Sequence, residues 1–250
     1  MTPALRTRGL TKAFGAFVAN ADIDLALPVG ARYALIGPNG AGKTTLVNLL
    51  TGVLPVTAGE VYIGEERVTH LPQHQRVRRG VTRTYQITNL FPTLTVLESV
   101  VLAICEREGV AGAWRCTVAS RTGEAREARE LLAALHLAGD AGVETRLLPY
   151  GKQRLVEIAL ALATRPRILL LDEPAAGIPA AESADVLRVI AGLPPDVTVL
   201  FIEHDMDLVF RFAERIIVLH GGRLLTEGTP AEIAADPRVR EVYLGEAAHV

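Results

Sequence analysis

The chain is poor in cysteine, tryptophan, methionine and surplus charge. Cys105 and Cys116 are the only cysteines in 250 residues, too few for a disulfide framework and in keeping with a reducing compartment. Trp114 is the single tryptophan, and aromatic residues make up 5% of the chain. Formal net charge is only -2, which argues against a nucleic-acid binder that relies on bulk charge. No apolar run approaches the roughly 20 residues of a membrane span; runs such as "RILLLDEP" and "VTVLFIEHD" are far shorter. The opening "MTPALRTRGLTKAFG" has no apolar stretch of the kind a secretory signal carries. With 49% hydrophobic and 22% charged residues the composition is globular, and the length suits one large domain or two packed subdomains.

Near-continuous apolar runs at 32–37, 167–172 and 197–203, and a fourth at 215–222, read as strands; the first three suit a largely parallel sheet buried on both faces. Helical segments at 42–51, 151–164, 180–191 and 205–213 alternate with them, which predicts an α/β fold. Residues 96–147 break the alternation with two Ala/Glu/Arg-rich helical stretches and no strand between them, read as an inserted helical subdomain. The division expected is one domain over 1–250: an α/β core at 5–95 and 165–228, a helical subdomain at 96–164, and a helical tail at 229–250. In the tail Thr229 reads as an N-cap with Pro230 at the first helical position, and Asp236-Pro237 restarts a helix.

The stretch "LIGPNGAGKTTLVNLL" sets a strand, a glycine turn and a helix in succession. Gly37, Gly40 and Gly42 let main-chain N–H groups converge on one anion at a positive helix end, with Pro38, Asn39 and Ala41 completing the loop. This is the P-loop pattern, in which Lys43 neutralises the outer phosphates and the Thr44 hydroxyl ligates Mg²⁺. A metal carboxylate is then needed, and Asp172 ends the apolar run "RILLLD". Glu173 follows at once, placed to polarise an attacking water. Taken alone, Asp172–Glu173 also reads as a solvated strand end; the glycine turn upstream favours the metal and base assignment. The basic run 73–83 reads as a solvated face rather than a nucleic-acid patch, since it lacks interleaved aromatics, with an approach to anionic lipid as a further reading. His70, His74, His136, His220 and His249 read as structural or solvated.

Four further stretches, "TYQITNLFP", "LLPYGKQRLVEIALALA", "EPAAGIPAAE" and "LFIEHDMDLV", resemble in order the remaining motifs of the ATP-binding subunit of an ABC transporter. The resemblance runs from residue 5 to about 245. It implies a P-loop ATPase fold with a mostly parallel core sheet, an N-terminal antiparallel β subdomain and an inserted α-helical subdomain. ATP and Mg²⁺ are the implied ligands, and transport-coupled ATP hydrolysis the implied activity. It further implies that Phe14 stacks on adenine, with Phe17 as the alternative, and that Thr45 adds a hydroxyl near the α-phosphate. Gln86 would touch Mg²⁺ or the lytic water in a loop facing the membrane subunit, and His204 would bond the γ-phosphate and orient Glu173. Tyr150, Gly151 and Lys152 occupy the signature that grips ATP on the opposite subunit; Pro149 stands where serine is usual, offering neither hydroxyl nor N–H.

The pattern Tyr150-Gly151-Lys152-Gln153-Arg154, "RTYQITNLFPTLTVLESV" and the C-terminal tail resemble the branched-chain amino acid importers, in particular the larger of their two ATPase subunits. The implied partners are transmembrane permease subunits, a second ATP-binding subunit (a heterodimer, with a homodimer as the alternative) and, indirectly, a solute-binding protein, with no nucleic acid. The implied location is the cytoplasmic face of the inner membrane, through the permease. Urea or short amides remain alternative cargo. A non-transport ABC ATPase is the other class, against which stand the absence of long coiled-coil heptads and the single cassette. An unrelated P-loop kinase or GTPase is disfavoured because no Asn-Lys-x-Asp guanine reader is present and the "LPYGKQR" and "EHD" segments would have no role in it. A scaffold that has lost hydrolysis is disfavoured by Lys43, Asp172, Glu173 and His204.

Overall fold

In a computed structural model the described residues are 2–84, 91–110 and 121–247. The chain falls into two compact units: one of Met1–Arg83, Arg167–Glu173 and Ala191–Val250, the other of Thr84–Pro166 and Pro174–Ile190.

The first unit holds two sheets. In the antiparallel one, β1 (Leu5–Phe14), β2 (Phe17–Leu27), β4 (Ala58–Ile63) and β5 (Glu66–Arg67) lie in the order β2-β1-β4-β5. The second contains β3 (Arg32–Ile36), β6 (Val81–Arg83), β7 (Ile168–Asp172), β8 (Thr198–Ile202), β9 (Arg215–His220) and β10 (Arg223–Gly228), ordered β10-β9-β3-β8-β7-β6. Every pairing in it is parallel except that of β10 with β9. All residues of β3, β7 and β8 are buried, as strands covered on both faces require. The strand read at 215–222 ends at His220, because Gly221 and Gly222 take positive φ values (54° and 76°) and turn the chain into β10, pairing Arg223 with His220.

Helices α1 (Lys43–Thr51), α2 (Gln73–Val77), α7 (Met206–Phe212), α8 (Pro230–Ala235) and α9 (Pro237–Ala247) belong to this unit. Thr229 caps α8 as anticipated: its hydroxyl accepts from Glu232 N, the Glu232 carboxylate accepts from Thr229 N, and Pro230 follows. The basic run 73–83 departs from the expected solvated face. Arg76 is 1% exposed, and its guanidinium donates to the carbonyls of Leu49, Leu50, Thr69 and Leu71. Arg83 is also drawn inward, whereas Arg78 is exposed and Arg79 pairs with Glu66 at the surface.

The second unit is helical. Helix α3 (Val96–Arg107) begins in a capping box between Thr95 and Glu98. It packs with α4 (Thr122–Ala134) and α5 (Tyr150–Ala163) through Val100, Val101 and Ile104, Ala128 and Leu132, and Val156 and Ala159, the spacing of one apolar face on each helix. Arg107 ties them further, donating to Glu127 on α4 and to the carbonyl of Ala163 at the end of α5. Most of α6 (Ala180–Ala191) also lies here. Among the described residues no helix is long and apolar enough to cross a membrane.

Candidate functional site

The glycine turn follows the C-terminal end of β3, which is flanked by β9 and β8 in the six-stranded sheet. Ligands of parallel α/β sheets bind beyond such carboxyl ends. Gly37 (φ 152°) passes so close to the next strand that a Cβ would stand 2.2 Å from the Leu219 carbonyl oxygen. Gly42 (φ 97°) is the N-cap of α1, pressed against Asn20, whose Nδ2 donates to the Gly42 carbonyl at 3.2 Å. A glycine cap supplies no side-chain acceptor, and the first turn of α1 carries no acidic residue. The positive helix end is therefore left for an anion to neutralise. Pro38 and Ala41 are buried, and the Ala41 N–H donates to the Pro38 carbonyl to close the turn, while Asn39 and Gly40 are exposed.

Lys43 folds back over this turn. Its Nζ donates to the Gly37 carbonyl at 2.6 Å and the Pro38 carbonyl at 3.0 Å, so the ammonium lies at the concave side of the loop. Thr44 is exposed and Thr45 partly buried on the first turn of α1.

Asp172 is the last residue of β7 and is 3% exposed. Its Oδ2 accepts from Arg83 Nη2 at 2.5 Å. A hydroxyl and a carboxylate are hard oxygen donors of the kind Mg²⁺ takes, with phosphate oxygens and water filling the rest of its shell. Among the described residues no group of three His, Cys, Asp or Glu could hold a metal unaided, so a cation at Thr44 and Asp172 would need the phosphates. On that chemistry the residues fit Mg²⁺.

Glu173 and His204 are brought together by strand register. Asp172 pairs with Ile202 across β7 and β8, so Glu173, one residue beyond, and His204, two beyond, leave the same sheet end. His204 Nε2 lies 2.8 Å from Glu173 Oε1. An ionised carboxylate only accepts, so in that pairing Nε2 carries the proton. Glu173 has φ 48°, an uncommon left-handed backbone for a side chain with a Cβ, and its N–H donates to Ile202 O at 3.0 Å. Such a conformation costs about 1–2 kcal/mol.

Phe14 and Phe17 face each other across the β1–β2 hairpin and are 49% and 65% exposed. Lys12 Nζ sits 4.8 Å from the Phe14 ring centroid. Tyr150, Gly151 and Lys152 open α5 in the second unit, after Pro149 as N-cap. Tyr150 is 39% exposed, with the Arg154 guanidinium 5.6 Å from its ring, and Gly151 is buried. Lys152 Nζ donates to both carboxylate oxygens of Asp140 at 2.8 Å, a partner with no local signal in the sequence. Gln86 lies outside the described residues. Sequence reasoning passed over Arg83 and Asn48, which the structure joins to Asp172.

The family described as "ABC transporter" matches residues 21–176, and "Branched-chain amino acid ATP-binding cassette transporter" matches residues 223–249. The high-affinity branched-chain amino acid transport ATP-binding protein BraF of Pseudomonas aeruginosa is 41% identical over 254 residues, covering 98% of this chain and 99% of BraF. LivG of Escherichia coli K12, with the same description, is 38% identical over 98% of this chain and 99% of its own length. The crystal structure of the ADP conformation of MJ1267, an ATP-binding cassette of an ABC transporter, superposes with a TM-score of 0.87 at 29% identity, covering 98% of this chain and all of that one. A dimeric post-hydrolysis state of the cassette MJ0796, bound to ADP and Pi, gives 0.74 at 27% identity, covering 90% and 98%. With a glycine turn, a buried carboxylate and a histidine-paired glutamate at one sheet end, and with relatives of this identity over nearly its whole length, the chain belongs to the ABC transporter ATP-binding family, in its branched-chain amino acid importer type.

Proposed function

We propose that the chain is the ATP-hydrolysing subunit of a membrane importer whose cargo is branched-chain or other hydrophobic amino acids. The observation that carries the reading is the 2.8 Å pairing of Glu173 with His204 at the end of the sheet that bears the phosphate turn. The likeness to BraF and LivG supports the choice of cargo.

The main chain from Gly37 to Gly42 encloses the β- and γ-phosphates of ATP, Lys43 balances the outer charge, Thr45 reaches the α-phosphate and Phe14 supports the adenine. Thr44 and Asp172, with Gln86 by its motif, are the residues that would hold Mg²⁺, which when bound neutralises phosphate charge. Glu173 accepts a proton from the attacking water as a new P–O bond forms at the γ-phosphorus. The bond to the bridging oxygen breaks, releasing ADP and phosphate. His204, donating from Nε2, holds the Glu173 carboxylate toward that water and reaches the γ-phosphate. A positioned base of this kind contributes about 10²–10⁴-fold.

Turnover is coupled to transport through two ATP-binding subunits closing face to face, the signature of each against the nucleotide of the other; the dimeric MJ0796 cassette supports such an arrangement. Here the signature is a weak donor. Pro149 lacks hydroxyl and N–H, and the Lys152 charge is balanced by Asp140. A sister ATPase with a full signature, forming a heterodimer with unequal ATP sites, fits this better than a homodimer. Attachment to the cytoplasmic face of the inner membrane then runs through the permease subunits.

The test is Glu173→Gln in the assembled transporter. ATP turnover should fall at least about 100-fold while nucleotide affinity stays within about threefold, and uptake of labelled leucine in a strain deleted for the chain should return with the wild type alone. Equal turnover in both would make the chain a nucleotide-binding scaffold, and rescue of urea but not leucine uptake would reassign the cargo.

A further inference from the structure

Within the first unit, Arg83 makes a three-way link. From the last residue of β6 its Nη2 donates to Asp172 Oδ2 on β7, and its Nη1 donates to Asn48 Oδ1 on α1. The side chains of Arg83 and Asp172 are 7% and 3% exposed. Asn48 lies four residues after Thr44, hence one turn along the same face of the helix. One guanidinium thus holds the Asp172 carboxylate directly and, through Asn48, the helix that bears the Thr44 hydroxyl.

Stability gives little reason for such a pair. Buried ion pairs are often matched or exceeded by apolar side chains of similar volume, so this one is better explained by the geometry it imposes. A planar guanidinium can serve two acceptors in a fixed relation, which a lysine ammonium on one flexible stem cannot reproduce. Residues that orient metal ligands from behind typically influence metal affinity or activity by about 10–100-fold.

We propose that Arg83 is a positioning residue that fixes the Asp172 carboxylate relative to α1, and so sets the affinity of the ATP-bound protein for its divalent cation. The inference rests on the reading of Asp172 as the metal carboxylate. It extends that reading to a residue to which the motifs assigned no role.

The test measures binding, not turnover. The full-length chain is titrated with a fluorescent ATP analogue in EDTA, then with Mg²⁺ at fixed analogue, for wild type, Arg83→Met, Arg83→Lys, Asn48→Ala and Asp172→Asn. Arg83→Met should leave metal-free analogue binding within about threefold and raise the Mg²⁺ midpoint about 10–100-fold. Arg83→Lys and Asn48→Ala should fall between it and the wild type. An unchanged midpoint in Arg83→Met overturns the proposal. So does an equal loss of metal-free binding, which would make Arg83 a support of the phosphate turn only. Should Arg83→Met fail to fold, Arg83→Lys and Asn48→Ala decide, and wild-type midpoints in both refute the link. An unchanged midpoint in Asp172→Asn would instead sink the metal reading of Asp172, whatever the Arg83 variants do.

Discussion

Replacing Arg76 by methionine keeps most of the aliphatic stem and removes the guanidinium that finishes the helix of the phosphate turn. Four carbonyls lose a donor: Leu49 at 2.6 Å and Leu50 at 2.8 Å in the last turn of α1, Thr69 at 2.8 Å and Leu71 at 3.0 Å. The last carbonyls of a helix have no intrahelical partner, and a cation beside them also offsets the negative helix end. Burial lowers the Arg76 guanidinium to about 10, still charged at neutral pH. Four charge-assisted bonds at about 1.5 kcal/mol each come to about 6 kcal/mol. Removing a buried cation returns several kcal/mol of desolvation. The net loss is then about 3 kcal/mol, and at about 2–4 °C per kcal/mol for a chain of this size the apparent midpoint should drop by about 6–12 °C. The assay is thermal unfolding by circular dichroism without nucleotide, with the exposed Arg78→Met as control. A drop below about 2 °C, or an equal one in the control, would refute the reasoning, since an exposed substitution that breaks no buried bond shifts stability by only about 0.5 kcal/mol.

Two further outcomes follow from the geometry. Gly37→Ala must move the Leu219 strand or the turn itself, and should weaken binding of a fluorescent ATP analogue at least about tenfold, whereas at Gly40, where a Cβ meets nothing within 4 Å, alanine should cost only about 1 kcal/mol of backbone strain. The Glu127 carboxylate is held below its ordinary value of 4.5, chiefly by its hydrogen bond with Arg107. A carboxylate so depressed contributes stability above the unfolded value and loses it as pH falls through the folded one. The gap in urea midpoint between wild type and Glu127→Gln should therefore be full at pH 6 and shrink below about 4.5; a gap constant down to pH 3 would contradict this.

Local features were the ones legible in the sequence. The apolar runs of β3, β7 and β8, the glycine turn and the Thr229–Glu232 cap are each specified within a few neighbouring residues, so spacing alone locates them. Strand β10 is mostly half-buried, an edge strand without a continuous apolar run to mark it. The basic run hid the largest difference. Arg76 and Arg78 look alike in sequence, yet one meets carbonyls from α1 and from residues 69–71 while the other meets water. Neither Arg83–Asp172, 89 residues apart, nor Lys152–Asp140, 12 apart, leaves a periodic trace, because an ion pair between separate elements is set by the fold and not by a local pattern.

The backbone at Glu173 sets two demands against each other. Glycine would sit at φ 48° without strain, so random mutagenesis scored only by heat resistance should enrich Glu173→Gly, a chain that on the proposed role of Glu173 outlasts its parent without turning over ATP. Glutamate there is an uncomfortable choice for folding, a cost that the proposed role of its carboxylate would explain.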